Sequence, residues 1–125
     1  TKEQMKEAMK LFTDSTKFST YIPFPTVAAD NPKFMPRGYW RGPIWLDQTY
    51  FAISGLRRYG YVEEADAYTR QVFDRLHGLK GDGAIHENYE TYTGKQLKAP
   101  HFSWSAAHLL MLYEEYNRRA SVAGL

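Results

Sequence analysis

Two helical stretches in this chain carry apolar side chains on nearly every side, and that pattern constrains its fold most. After Pro43, the residues Ile44, Trp45, Leu46, Tyr50, Phe51, Ala52, Ile53 and Leu56 leave little polar face. A helix apolar all round is buried all round. A second stretch, from Trp104 through Leu112 and Tyr113, has the same character before turning wet at Glu114, Glu115, Asn117, Arg118 and Arg119. Between them, Val62 to Leu76 is amphipathic. Val62, Ala65, Thr69, Val72, Phe73 and Leu76 form its stripe, and Glu63, Glu64, Asp66, Arg70, Asp74 and Arg75 its wet face. Asp66 and Arg70 have the i,i+4 spacing of a weak supporting pair. Inner helix, outer helix, then a further inner helix make a slice of an α/α barrel. Two inner helices need neighbours on several sides, and four helices cannot supply them. The pattern therefore predicts an all-α chain that is incomplete alone or covers its inner faces by association. Its opening Thr1-Lys2-Glu3-Gln4, already helical in pattern and without an initiator methionine, suits a piece of something longer.

Local signals set the boundaries. Met5, Met9 and Phe12 predict a short amphipathic helix from Lys2 to about Thr13. Pro23, Pro25, Pro32 and Pro36 interrupt the segment from Phe18 to Arg37. There, Tyr21 to Pro25 reads as extended and packed, and Asp30-Asn31-Pro32 as a turn. Pro43 suits a first helical position, with the helix running to about Tyr59 and Gly60 as its left-handed cap. Gly78 ends the outer helix. Residues 79 to 102, with Gly81, Gly83, Gly94 and Pro100, read as a loop with a short strand at Ile85. Ser103 is placed to cap the last helix, Trp104 to about Arg119.

Several function classes fall away. The net charge of +2 is spread without a basic run, which argues against nucleic acid and anionic membrane as partners. No stretch approaches the ~20 apolar residues of a membrane span, and no signal-peptide pattern opens the chain. There is no cysteine, hence no disulfide or thiol chemistry. His77, His86, His101 and His108 lack metal-ligand spacing, and no phosphate loop or nucleophile elbow is present. Neither metal nor cofactor is expected.

What remains is an aromatic, carboxylate-bearing surface. Tyr39 to Phe51 gathers Trp40, Trp45, Arg41, Asp47 and three further aromatics around Gly42-Pro43. Such a mixture stacks rings on a flat ligand and fixes its hydroxyls with charge. Asp47 falls in a first helical turn, where the dipole favours a carboxylate. It could equally steady that terminus or pair with Arg41. His86-Glu87-Asn88-Tyr89-Glu90 supplies further carboxylates. Glu87 alone would be an ordinary solvated loop residue, while Glu90 and Glu114 read as structural. Trp40, Trp45 and Trp104 all fall at or just before an inner-helix start, so parallel inner helices would gather them at one mouth.

Tyr39 to Trp45, Glu87-Asn88-Tyr89 and Phe102 to Ala106 together resemble the C-terminal part of glycoside hydrolase family 63. That family holds processing α-glucosidases, bacterial α-glucosidases and mannosylglycerate hydrolases. Pro25 to Asp30 and Asp47-Gln48 lean toward the bacterial α-glucosidase branch. The resemblance covers about residues 20 to 116. It implies part of an (α/α)6 barrel and inverting hydrolysis, in which one carboxyl protonates the leaving oxygen and the other activates water. Glu87 matches the general base. Tyr39, Trp40, Gly42 and Trp45 match the wall of the sugar subsite, and Arg41, Asp47, Tyr89 and Trp104 complete the candidate substrate contacts. The family's acid, an upstream aspartate, has no match here, so the chain carries half of the catalytic pair and is expected to be inactive alone. Its expected partners are an oligosaccharide or glycoside and either the remaining barrel or a second copy. The resemblance points to a periplasmic or secreted location. The alternatives are a noncatalytic carbohydrate-binding module and a helical interaction module.

Overall fold

A computed structural model describes the backbone of residues 1–122 and side chains through residue 118, so the side chain of Arg119 lies outside the described residues. In chain order the elements are α1 (Lys2–Phe12), α2 (Leu46–Arg58), α3 (Val62–Arg75), β1 (His86–Tyr89), β2 (Gln96–Pro100) and α4 (Ser103–Val122). Among the described residues no helix is long and apolar enough to cross a membrane.

The helices form where the periodicity predicts them. A capping box starts α1: the Thr1 hydroxyl accepts from the Gln4 amide, and the Gln4 side chain accepts from the Thr1 nitrogen. Met5, Met9 and Phe12 press this helix against the core. Gly60, at φ +91°, takes the left-handed position after α2 and folds α3 back against it. The helix α4 packs on α2, and to a lesser extent on α3. Ile53 and Leu56 of α2, Ala65 and Val72 of α3, and Leu109 and Leu112 of α4 close the core between them. Ile22 and Phe24 enter it from the proline-rich segment, which is packed as expected but bends at residues 21–23 and takes φ +65° at Phe24 instead of running extended.

The chain is mostly helical, as expected, and three local readings need correction. Residues 79–102, read as loop, contain an antiparallel hairpin of β1 and β2. Its turn is pinned by Glu90, whose carboxylate accepts from the amide and hydroxyl of Thr93. Pro43 is not the first residue of α2. Ile44 instead exchanges both backbone hydrogen bonds with Tyr89, at 2.8 and 3.0 Å, so the chain stays extended until Leu46. Strand pairing across the fold thereby overrides the local proline signal. Asp66 forms a direct ion pair with Arg57 at 2.6 Å and also acts on Arg70 through its charge, in keeping with their spacing, while Arg70 donates to the Tyr116 hydroxyl. Ser103 is the first residue of α4 rather than the residue before it.

The inner helices do not bury every side. Phe51 on α2 and Trp104, Leu110, Met111 and Tyr113 on α4 are exposed. Those are the faces for which four helices supply no neighbour.

Candidate active site

The site is built on the segment that leads into α2. Gly42 sits at φ +153°, and a Cβ there would lie 2.4 Å from the Met35 carbonyl oxygen. Only glycine permits that approach. Its amide donates to the Thr26 hydroxyl at 3.0 Å, and its carbonyl accepts from the Thr91 hydroxyl at 2.7 Å. The Thr26 hydroxyl in turn donates to the Pro43 carbonyl. These bonds fix the chain from which the aromatic residues project.

Trp40 lies flat on Trp45, with ring centroids 3.8 Å apart and planes 11° from parallel. Trp45 is buried and Trp40 is 45% exposed, so the pair makes a platform with one free, backed ring. Tyr39 stands edge-on to both, and its carbonyl accepts from the Trp45 indole nitrogen at 2.9 Å. Phe102 bridges Trp45 to Trp104, with centroids 6.4 and 5.5 Å away. The three tryptophans thus belong to one continuous aromatic surface.

Glu87 lies beside it. Its Oε1 accepts from the Tyr39 hydroxyl at 2.6 Å and its Oε2 from the Ala99 amide at 3.5 Å. The backbone carbonyl of Glu87 accepts from the Ser105 hydroxyl of α4. The aim comes from an irregularity in the hairpin. Asn88 pairs with Leu97, but His86 pairs with Pro100, so β2 carries one extra residue opposite Glu87. Lys98, at φ +64°, absorbs it. A bulge of this kind re-aims a side chain. The Lys98 ammonium lies 5.8 Å from the Tyr39 ring centroid. Bonding to Glu87, then desolvation, holds the Tyr39 phenol above its ordinary value, so at neutral pH it is the donor.

The remaining candidates divide. Arg41 is exposed on the same loop, and among the described residues no ion pair joins it to Asp47. Asp47 lies in the first turn of α2. Its Oδ2 accepts from Gln48, whereas Oδ1 is buried without a partner among the described residues. Tyr89 departs from its expected place at the ligand: it is fully buried in the core, and its hydroxyl accepts from the His86 amide. Burial also pushes the Tyr89 phenol upward. Sequence reasoning missed Lys98 and the Ala99 amide, because a bulge has no local signature in a segment read as loop. It also missed the role of Phe102, though the residue lies in a motif singled out there.

Residues 1–105 match the family described as the mannosylglycerate hydrolase MGH1-like glycoside hydrolase domain. Over 72 residues the chain is 43% identical to the mannosylglycerate hydrolase of Rubrobacter radiotolerans, covering 58% of this chain and 15% of that protein. It is 37% identical over 86 residues to mannosylglycerate hydrolase MGH1 of Selaginella moellendorffii, covering 69% and 17%. An α-glucosidase of Arabidopsis thaliana matches too, at lower identity. The fold is similar to that of the GH63 mannosylglycerate hydrolase of Thermus thermophilus in complex with Tris and D-glycerate. The TM-score is 0.70 at 26% identity, over 90% of this chain and 26% of that one. The chain thus spans less than a fifth of the curated relatives' length, and its helices correspond to part of an α/α barrel. With residues 1–105 covered by the family, this chain belongs to the MGH1-like glycoside hydrolases of family 63.

Proposed function

We propose that the chain forms the base-bearing side of an inverting glycosidase site within the C-terminal part of an (α/α)6 catalytic domain. Glu87 is the general base. Trp40, backed by Trp45, is the ring on which a sugar stacks, with Tyr39, Arg41 and Trp104 around it. Gly42 shapes the wall, and Asp47 offers a polar atom at its edge. Tyr89 holds the wall in place from the core. The general acid comes from outside residues 1–125, and the exposed faces of α2 and α4 pack on further barrel helices. The relatives' names favour a small glycoside such as mannosylglycerate, with an α-glucoside as the wider class.

The observation that supports this most is the half-buried Glu87 carboxylate, held by Tyr39 at the rim of a stacked tryptophan pair. An inverting base must reach a water on the sugar face opposite the leaving oxygen, and it needs a fixed aim and access to solvent. In the full-length enzyme, Glu87→Gln is expected to lower kcat by ~10²–10⁴-fold with KM nearly unchanged. Near-normal turnover would remove Glu87 from this role. Unchanged sugar binding with no hydrolysis in the unmutated enzyme would instead favour a binding module. Purified residues 1–125 are expected to hydrolyse no α-glycoside, and turnover by that piece would point to Asp47 as an acid.

A further inference from the structure

We infer that Tyr39 is a positioning residue for Glu87 rather than a sugar contact: its hydroxyl holds the carboxylate at the angle from which water is activated. The inference rests on the proposed role of Glu87 and adds a residue that acts through it.

Four features of Tyr39 converge on this. Its hydroxyl donates to Glu87 Oε1 at 2.6 Å across 48 positions of sequence, within the range of short charge-assisted bonds. Its backbone sits at φ +62°, a left-handed conformation that a tyrosine adopts only when its surroundings impose it. Its carbonyl is tied to the Trp45 indole, and its ring is boxed edge-on by Trp40 and Trp45 at 74° and 77°. The Lys98 ammonium then lies near the ring on the hairpin side. Backbone, carbonyl, ring and hydroxyl are each fixed, and the one free function of the side chain is already committed to Glu87. Because Tyr39 is also locked to the platform, the base and the stacking ring form one rigid unit, so a sugar seated on Trp40 meets a carboxylate at a set place. Orientation of this kind raises rate rather than affinity.

The test is a double-mutant cycle in the full-length enzyme, with kcat and KM read separately. Tyr39→Phe removes only the hydroxyl and is expected to lower kcat about 10–100-fold, the rate equivalent of one hydrogen bond to a charge, with little change in KM. In the Glu87→Gln background the same change is expected to cost less than about threefold, since the group it acts through is gone. Replacing Tyr39 by 4-aminophenylalanine, which keeps a donor at the same place, should recover much of the rate and covers the case in which Tyr39→Phe folds poorly. Independent effects in both backgrounds, or a raised KM with kcat unchanged, would make Tyr39 a sugar contact and overturn the inference. A crippled Glu87→Gln beside a fully active Tyr39→Phe would overturn it while leaving the base in place. A fully active Glu87→Gln would remove the functional reading on which it stands.

Discussion

The two ends of α2 both gather charge and aromatic rings, yet they are built for different ends. At the C-terminal end, Arg57 pairs with Asp66 of α3 at 2.6 Å and approaches Glu115 of α4 at 3.8 Å. Tyr50 adds a hydroxyl to the same Glu115 carboxylate, and burial together with that bond pushes its phenol upward. These charged side chains are 16%, 15% and 23% exposed, so the cluster is largely shut off from water and joins three helices. At the N-terminal end, beyond Asp47 in the first turn, the Glu87 carboxylate is anchored by Tyr39 beside the exposed rings of Tyr39 and Trp40. Opposite charges locked together stabilise an arrangement but leave nothing to react. A carboxylate fixed by neutral donors is left without a fixed counter-charge and keeps its access. That difference separates a structural carboxylate from a candidate catalytic one more sharply than burial does.

The comparison predicts that substitutions sort by position along α2. The largest effect on folding belongs to its middle. Ile53 has no exposed surface, and Ile53→Ala should cost about 2–5 kcal/mol in denaturant titration of the full-length protein. A smaller loss would mean that the core at α2 relaxes around the gap. At the C-terminal end, Arg57→Met should cost about 1–3 kcal/mol, less than breaking a fully buried pair. The pair keeps 16% and 15% exposure, and among the described residues Arg57 Nε and Nη2 already lack hydrogen-bond partners. Its kcat should stay at the wild-type level. A large fall in turnover without loss of stability would erase the distinction between the two ends. The smallest change is expected from Asp47→Asn, with under about 1 kcal/mol in stability from the weakened dipole interaction. Its kcat should fall by less than the ~10²-fold that marks loss of an acid or base. If Asp47→Asn is the crippling variant, the functional carboxylate lies on α2 and not on the hairpin.

The helices were legible because their apolar residues recur at helical spacing, over only eight positions in α1 but over a longer run in α2, α3 and α4. The hairpin was not. His86, Glu87 and Asn88 are poor strand formers, Lys98 and Ala99 little better, and each strand is only four or five residues long. Their strand character comes from pairing with each other and with Ile44, a contact across more than forty positions that no local window contains. Pro43 misled for the same reason. At the site, the concentration of aromatics from Tyr39 to Trp45 was visible in the sequence. That Trp45 lies beneath Trp40, or that Tyr39 reaches Glu87, depends on the bulge and on a left-handed tyrosine, and neither leaves a mark in the residue order.

The central claim is that Glu87 activates the attacking water, and chemical replacement of that step tests it most directly. In the full-length enzyme, Glu87→Ala removes the base and opens space beside Tyr39. Azide is a nucleophile that carries no proton to be removed, so it can attack the anomeric carbon from the face that Glu87 serves. With a glycoside bearing a good leaving group, the account predicts a dead variant that azide revives, giving a glycosyl azide of inverted anomeric configuration by NMR. A variant that azide cannot revive, or an azide product of retained configuration, would contradict it.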